Sequence, residues 1–182
     1  ALVTGGSRGL GRGVVEALRA RSMKVVAVAR DPERLAILAQ QTGALPRAAD
    51  VSDELEVARL MNDVRPNLTV LCAGATPLMR PIHHHSWRSF SDVWETDTKA
   101  TFAFLREALS LPLAPNSHII VVSSGAALGG SPLSGGYAAA KRAQWFLADY
   151  AAKEAARLGL GLRFHCLLPS LSPSTDLGLT AI

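Results

Sequence analysis

Two residues that can share a proton lie four positions apart near the carboxyl-terminal third of the sequence. Tyr137 and Lys141 flank three alanines in a stretch typical of a helix, so their side chains should lie on one helix face. A phenol ionises near pH 10 and is a poor base at neutral pH. An ammonium about 4 Å away, at an effective dielectric of about 20, favours the phenolate by roughly 4 kcal/mol. The pair therefore predicts a general acid-base working near neutral pH.

A third polar residue, Ser124, precedes Tyr137 by thirteen positions. It follows the apolar run Ile119–Val122, which predicts a buried strand, and ligands bind at the carboxyl ends of strands in open α/β sheets. A tyrosine and a lysine at this spacing often form a plain helix-surface pair. The position after Ser124, in a chain that also carries a glycine-rich turn, favours the chemical interpretation.

The glycine-rich turn is TGGSRGLGRG, residues 4–13, with five glycines in ten positions. Glycine inside an element costs roughly 0.5–1 kcal/mol relative to alanine, so the cluster needs a reason. A strand, a glycine turn and a helix start together form an anion site, because the unpaired amides of the first helical turn point at the ligand. The spacing differs from G-x-G-x-x-G and lacks the Lys-Ser/Thr of a P-loop, so a tight structural turn is the alternative for this segment alone.

The elements that must position these residues alternate along the chain. Short β-branched runs separated by helical patterns predict βαβ units and a parallel sheet, that is, a doubly wound α/β fold. The predicted strands cover residues 1–4, 24–29, 45–48, 68–73, 118–123 and 161–168. The predicted helices cover residues 10–21, 32–41, 53–63, 86–111 and 134–158. Long loops at 74–85, 125–136 and 169–180 follow the carboxyl ends of strands, where function concentrates.

In order and rough spacing these motifs resemble the classical short-chain dehydrogenase/reductase superfamily. The matching segments are Thr4–Gly11, Asp50-Val51, Ser124 and Tyr137–Lys141. The resemblance covers the chain from end to end. It implies a Rossmann-type parallel sheet of order 3-2-1-4-5-6 with helices on both faces. It also implies one NAD(P)-binding domain over residues 1–182, without the substrate-covering segment and seventh strand of its relatives.

The same resemblance implies an enzyme that passes a hydride between a nicotinamide dinucleotide and a carbonyl or secondary alcohol. Tyr137 would be the acid-base, Ser124 would hold the substrate oxygen, and Lys141 would also hydrogen-bond the nicotinamide ribose. Asp97 aligns with the family's asparagine and completes the catalytic set. The cofactor-binding residues that the resemblance implies are Gly5, Ser7, Arg8, Gly9, Leu10, Gly11, Arg30, Asp50, Val51, Ala73, Gly74, Tyr137, Lys141 and Pro169.

The charge after the second strand predicts which dinucleotide binds. An NAD site usually carries an acid there for the ribose 2′-hydroxyl, whereas a 2′-phosphate requires arginine. Arg30 follows the strand and Arg8 lies in the glycine turn, so we expect NADP(H) to be favoured over NAD(H); the alternative for Arg30 is a solvated surface charge. Asp31 is predicted as a helix N-cap. Asp50 would border the adenine, although Asp50–Asp53 also resembles a helix cap.

Several positions depart from the family pattern. Leu71 and Cys72 replace a pair of asparagines, and Cys72 is expected to be a small buried hydrophobe. Asp97 should partly neutralise Lys141, or else bend its helix through a local hydrogen bond. Ser170 follows Pro169 where glycine is usual, and Ser174-Thr175 could supply a hydroxyl to the carboxamide side of the cofactor.

Composition limits the other function classes. With 48% hydrophobic and 19% charged residues the chain has globular composition, and its apolar runs are too short to span a bilayer. The net charge of +4 is scattered without an aromatic-rich basic stripe, so we expect no nucleic acid partner. Adjacent histidines 83–85 cannot all face one ion, so a polar loop rather than a metal site is predicted. The two cysteines lie in apolar segments and no leader is evident, which favours a cytoplasmic protein.

Aromatic residues at helical spacing are expected to pack against other side chains rather than stack on a ligand; they are Trp87, Phe90, Trp94 and Phe102. The resemblance implies a homodimer or homotetramer that pairs the helices around Phe102 and Trp145. A nucleotide-binding regulatory or scaffold protein with impaired catalysis is the alternative function. A methyltransferase-like Rossmann protein would explain the glycine turn but not the Ser-Tyr-Lys set.

Overall fold

A computed structural model describes residues 1–170 of the chain and places one parallel sheet between two layers of helices. The strands are β1 (Leu2–Thr4), β2 (Val26–Ala29), β3 (Leu45–Ala48), β4 (Leu68–Leu71), β5 (His118–Val122) and β6 (Arg163–Leu167). The helices are α1 (Gly9–Ala20), α2 (Pro32–Thr42), α3 (Glu54–Val64), α4 (Trp87–Val93), α5 (Lys99–Ser110) and α6 (Gly135–Arg157). All strand pairs are parallel, in the order β3-β2-β1-β4-β5-β6, which confirms the predicted fold.

The core lies on both faces of the sheet. In β1, Leu2 joins the hydrophobic cluster that contains Met61 of α3 and Phe104 of α5. Its neighbour Val3 joins the opposite cluster, with Val15 of α1. Because successive side chains of a strand point to opposite faces, a strand covered on both sides must be apolar throughout. This explains the continuous apolar runs in the sequence.

Local capping fixes where α2 and α3 begin. The carboxylate of Asp31 accepts the backbone N–H groups of Glu33 and Arg34, both at 3.1 Å, so its prediction as an N-cap is confirmed. Asp53 caps α3 by accepting the N–H of Leu55 at 2.9 Å. Asp50 is therefore not the cap of this helix, and its carboxylate accepts the N–H and hydroxyl of Ser52 in the preceding turn.

The predicted helix over residues 86–111 is two helices. A π-helical turn, Trp94–Thr98, separates α4 from α5. Asp97 lies in this turn, fully buried, and its carboxylate accepts the N–H of Ala75 from the loop after β4 at 2.7 Å. The spacing of apolar residues stays helical through the turn. The sequence pattern therefore does not predict the π-helical hydrogen bonding. The partners that stabilise it come from other elements.

Two smaller expectations differ from the structure. β4 ends at Leu71 rather than at residue 73, because the Thr4 hydroxyl accepts the N–H groups of Cys72 and Ala73, both at 3.1 Å. Trp87 packs on Phe90, with ring centroids 5.9 Å apart, but it is 78% exposed and Phe102 is half-exposed, so neither lies in the core. Residues 174 and 175, and the part of the predicted 169–180 loop beyond residue 170, lie outside the described residues.

The edge strand β3 carries a proline on its outward side. The N–H groups of Leu45 and Ala49 donate to the carbonyls of Val25 and Ala29, at 2.8 and 3.0 Å, so the alternate residue Pro46 faces away from the sheet. Proline is tolerated at such a position because an N–H there would have no strand partner. Within residues 1–170, every helix is too short or too polar to traverse a bilayer.

Candidate active site

The turn between β1 and α1 brings backbone segments so close together that only glycine fits at two of its positions. Gly5 has a φ of +63°, and a Cβ on it would lie 2.8 Å from the backbone nitrogen of Ala73. A Cβ on Gly11 would lie 2.3 Å from the carbonyl oxygen of Gly5. The first turn of α1 holds no acidic residue and receives no side-chain cap. Its amides are thus available to an anion, and this cradle fits a dinucleotide diphosphate.

A cleft of about 400 Å³ opens beside this turn. It is lined by Ser7, Arg8, Gly9, Arg12, Arg34 and Ile37. Arg12 is also paired with Glu16 at 2.8 Å, and Arg34 with Asp31 at 3.2 Å. The structure therefore brings Ser7, Arg8 and Gly9 of the predicted set together. Arg12 and Arg34 were missed by the sequence analysis; their signal was a basic residue in the first turn of each of two adjacent helices.

Arg30 and Asp50 stand at the carboxyl ends of adjacent strands, just beyond β2 and β3. Hydrogen bonds from the backbone and side chain of Ser52 hold the pKa of Asp50 below its usual value, and the charges of Arg30 and Lys99 add to this effect. Asp50 is therefore ionised at neutral pH. Val51 is buried in the hydrophobic cluster that contains α3 and α5.

Ser124 and Tyr137 come from two segments that meet beyond β5. The Ser124 hydroxyl oxygen accepts the N–H of Ala126 at 3.2 Å. The buried hydroxyl of Ser123 donates to the carbonyl of Lys141 at 2.7 Å, which ties the end of β5 to α6. Pro169 accepts the N–H of Gly125 at 2.7 Å, so the end of β6 lies against the same segment.

Tyr137 and Lys141 lie on one face of α6, as their spacing predicted. The Nζ of Lys141 is 5.5 Å from the centroid of the Tyr137 ring. Tyr137 is half-buried. Lys141 is buried, and its positive charge is balanced from the neighbouring helix.

The counter-charge of Lys141 is Asp97. The Nζ atom and Oδ2 of Asp97 are 2.8 Å apart, and both side chains are nearly inaccessible to solvent. Oδ2 nevertheless accepts no hydrogen bond of good geometry, so electrostatic attraction, more than a directed hydrogen bond, holds the pair together. Lys141 instead donates a hydrogen bond to Oε1 of Gln144 at 2.9 Å. Gln144 is a site residue that the sequence analysis missed.

The loop after β4 forms the wall next to Asp97. A Cβ on Gly74 would lie 3.0 Å from Oδ2 of Asp97, which leaves little room for a side chain. Burial raises the pKa of the Cys72 thiol to about 12, against the opposing charge of Lys141. Cys72 therefore remains a neutral thiol at physiological pH, which fits its expected packing role. Within residues 1–170, no three histidine, cysteine or acidic side chains cluster as metal ligands would.

The family model described as short chain dehydrogenase matches residues 1–178. The NADPH-dependent pterin aldehyde reductase of Arabidopsis thaliana is 32% identical over 84% of this chain and 67% of its own length. An uncharacterized oxidoreductase of Mycobacterium tuberculosis is 33% identical over 79% of this chain, and the match spans only 58% of that protein.

Solved structures agree with these sequence matches. A short chain dehydrogenase from Burkholderia cenocepacia in complex with NADP has a TM-score of 0.87 and 26% identity, and the match covers 100% of this chain and 75% of that one. The fold, the glycine turn and the match of the family model thus agree. The chain belongs to the short-chain dehydrogenase family, whose members are NAD(P)-dependent oxidoreductases.

Proposed function

We propose that the protein is an NADP(H)-dependent oxidoreductase that interconverts a small carbonyl compound and the corresponding alcohol, with Tyr137 as general acid-base. The observation that carries this proposal is the buried Lys141 ammonium, held between Asp97 at 2.8 Å and the Tyr137 ring at 5.5 Å. When bound, the nicotinamide supplies or accepts the hydride. The residues of this chain supply the proton and orient the substrate and the cofactor.

Each residue has a distinct role in this proposal. In reduction, the Tyr137 hydroxyl donates its proton to the substrate oxygen, and in oxidation the tyrosine oxygen takes the proton back. The Ser124 hydroxyl, which accepts one backbone N–H at 3.2 Å, has its own O–H available to hold the substrate oxygen. Lys141 keeps a positive charge beside the phenol and would hydrogen-bond the nicotinamide ribose.

The preference for NADP(H) rests on the charges around the cleft. Arg8, Arg12 and Arg34 line it, and Arg30 is exposed at the end of β2. The Asp31 carboxylate caps α2 through one oxygen and pairs with Arg34 through the other, so both oxygens already have protein partners. A 2′-phosphate would add charge that the arginine guanidinium groups can bind in two-point contacts. The NADPH-dependent plant reductase and the NADP-bound bacterial structure support the same preference.

The proposed assembly is a homodimer or homotetramer that uses the outward faces of α5 and α6. Phe146 and Tyr150 of α6 are 64% and 59% exposed and stack on each other, with ring centroids 6.3 Å apart. Phe102 of α5 is also exposed, at 46%. Aromatic side chains on adjacent helices form the kind of apolar surface that a partner subunit covers.

We further propose a single domain and a cytoplasmic location, with neither nucleic acid nor membrane as partner.

The test joins cofactor binding to turnover. NADPH and NADH are titrated by fluorescence, and a panel of ketones and aldehydes is then assayed with the wild type and with Tyr137→Phe. We expect tighter binding of NADPH, equal NADPH affinity in both proteins, and a loss of about 100-fold or more in reduction by the variant.

The matched control is Tyr150→Phe, which changes the only other tyrosine of the chain and should keep wild-type rates. Binding of the dinucleotide without turnover of any substrate by the wild type would favour a regulatory or scaffold protein. Binding of neither dinucleotide would contradict the whole proposal.

A further inference from the structure

Gln144 is a buried polar residue at the junction of α6 and the π-helical turn. Its side-chain carbonyl Oε1 accepts a hydrogen bond from Nζ of Lys141 at 2.9 Å. Its Nε2 donates to the backbone carbonyl of Asp97 at 3.1 Å and to the hydroxyl oxygen of Thr101 at 2.7 Å. Every hydrogen-bonding group of this amide except one lone pair thus has a partner, although the side chain is only 1% exposed.

The surroundings permit one orientation of this amide. Exchange of its oxygen and nitrogen would set N–H groups against the Lys141 ammonium and a carbonyl oxygen against the carbonyl of Asp97. Both contacts would be repulsive in a site from which water is excluded. The amide is therefore fixed by Asp97 and Thr101 on one side, and it presents a lone pair to Lys141 on the other.

We propose that Gln144 is a positioning residue that directs the Lys141 ammonium toward the dinucleotide. The inference rests on the proposed function, because it assigns a role within the same site. An ammonium has three N–H groups. One is taken by Gln144, a second direction is occupied by Asp97 at 2.8 Å, and the third is left for the nicotinamide ribose.

Asp97 does not supply this direction by itself. Its Oδ2 attracts the ammonium, but it accepts no hydrogen bond of good geometry. The hydrogen bond to Gln144 is the only one that Nζ donates within residues 1–170. With Asp97 Oδ2 at 2.8 Å on one side, the hydrogen bond to the amide fixes the rotation of the ammonium and therefore the direction of its third N–H.

The neighbours of Gln144 do not depend on it for their own partners. The Thr101 hydroxyl donates to the carbonyl of Asp97 at 2.8 Å, and this bond survives loss of the amide. A substitution at position 144 therefore leaves Lys141 as the group that loses its hydrogen bond. A role in folding alone and a role in positioning Lys141 thus have different consequences for cofactor binding.

The test is Gln144→Met, which keeps the length of the side chain and removes its hydrogen bonds. The dissociation constant of NADPH is measured by fluorescence without substrate, together with kcat, KM and the thermal unfolding midpoint. We expect the dissociation constant and the KM for NADPH to rise about 10-fold, as for a lost hydrogen bond to a charged group. We expect kcat at saturation to fall less, because Asp97 still holds the charge of Lys141 near Tyr137.

Thr101→Val is the second variant, because it removes one anchor of the amide and is nearly isosteric. It should weaken NADPH binding about 3-fold, and the double variant should bind no worse than Gln144→Met alone, since both act through one amide. Gln40→Met, on the exposed face of α2, is the matched control and should bind as the wild type does.

A lower unfolding midpoint with an NADPH dissociation constant within twofold of wild type would overturn the inference and leave the proposed function standing. Failure of the wild type to bind either NADPH or NADH would overturn the proposed function, and the inference with it. If Gln144→Met does not fold, wild-type affinity in Thr101→Val would by itself contradict the positioning role.

Discussion

At the scale of single residues, the site is unusual in placing a full negative charge next to its lysine. Asp97 is buried and lies 2.8 Å from Lys141, as the comparison with the family's asparagine led us to expect. Taking two charges out of water is costly, and their attraction repays this cost only with good geometry and additional hydrogen bonds. Ala75 and Gln144 supply those bonds, one to each member of the pair.

The charge of Asp97 should be visible in the pH dependence of alcohol oxidation. In Asp97→Asn the opposing charge is gone, so the Lys141 ammonium acts more strongly on Tyr137 and favours the deprotonated form that accepts the substrate proton. We expect the acidic limb of kcat/KM for oxidation to move about one pH unit toward lower pH. Burial raises the pKa values of Cys72 and Cys166, which also sense Lys141, so both thiols stay neutral across this range.

The asparagine keeps an oxygen for the N–H of Ala75, so the loop after β4 should retain its position. Asp92→Asn, an exposed change at the end of α4, is the control and should leave the profile where it was. An unchanged profile in Asp97→Asn as well would exclude an electrostatic role for the carboxylate.

The sequence predicted some of these residues and not others for a physical reason. Tyr137 and Lys141 are four positions apart on one helix, so helix geometry alone places them together. Gln144 is equally close to Lys141 along the chain, yet nothing in its local sequence distinguishes it from a solvated residue. Its partners, Asp97 in the π-helical turn and Thr101 in α5, lie more than forty positions earlier.

At the scale of elements, the glycine turn and the π-helical turn were predictable to different degrees. Gly5 and Gly11 stand where the backbone has no room for a side chain, and Gly9 has a φ of +51°, so the glycine spacing in the sequence predicts the turn. The π-helical turn has no comparable signal in the sequence. It is stabilised by tertiary partners of Asp97, and therefore the sequence predicted one uninterrupted helix instead of α4 and α5.

Two glycines in α1 give a test of the crowded turn. In Gly11→Ala the new Cβ would lie 2.3 Å from the Gly5 carbonyl oxygen, so the backbone must move. We expect a loss of about 1–3 kcal/mol in the free energy of unfolding, as for other overpacked sites, and at least a 10-fold weaker binding of NADPH. Chemical denaturation and fluorescence titration measure the two effects.

Gly13→Ala is the matched control, because a Cβ there meets no atom within 4 Å. It should stabilise the protein by about 0.5–1 kcal/mol through helix propensity and leave NADPH binding intact. Equal behaviour of the two variants would show that close packing of the turn does not govern the cofactor site.

At the scale of the whole molecule, the sheet separates two hydrophobic clusters and the site lies at one end of it. β1 contributes to both clusters. The segments that follow β1, β2, β4 and β5 all begin at the carboxyl ends of the strands, which lie at one end of the parallel sheet. This much followed from the sequence, because parallel strands must be covered on both faces and must share one carboxyl edge. Which helix faces stay exposed did not follow, since Trp87 and Phe102 have the spacing of core residues.

The exposed aromatic residues of α5 and α6 lead to a prediction about assembly. Paired substitution of Phe146→Glu and Tyr150→Glu would set carboxylates against their own copies across an interface. We expect light scattering to give the mass of two or four chains for the wild type and a single chain for the variant. Leu55→Glu, at an exposed position of α3, should not change the mass. An unchanged mass in the double variant would place the interface elsewhere.

The proline in β3 bears on how the molecule avoids its own copies. An open strand edge with a full row of N–H and C=O groups is a template for unwanted pairing, and aggregation through such edges is a common hazard. Pro46 removes one donor from the outward row, in a strand of only four residues. The missing donor weakens the pairing of β3 with a strand of another copy, which protects the protein against aggregation at high concentration. The outward helix faces stay available for specific contacts.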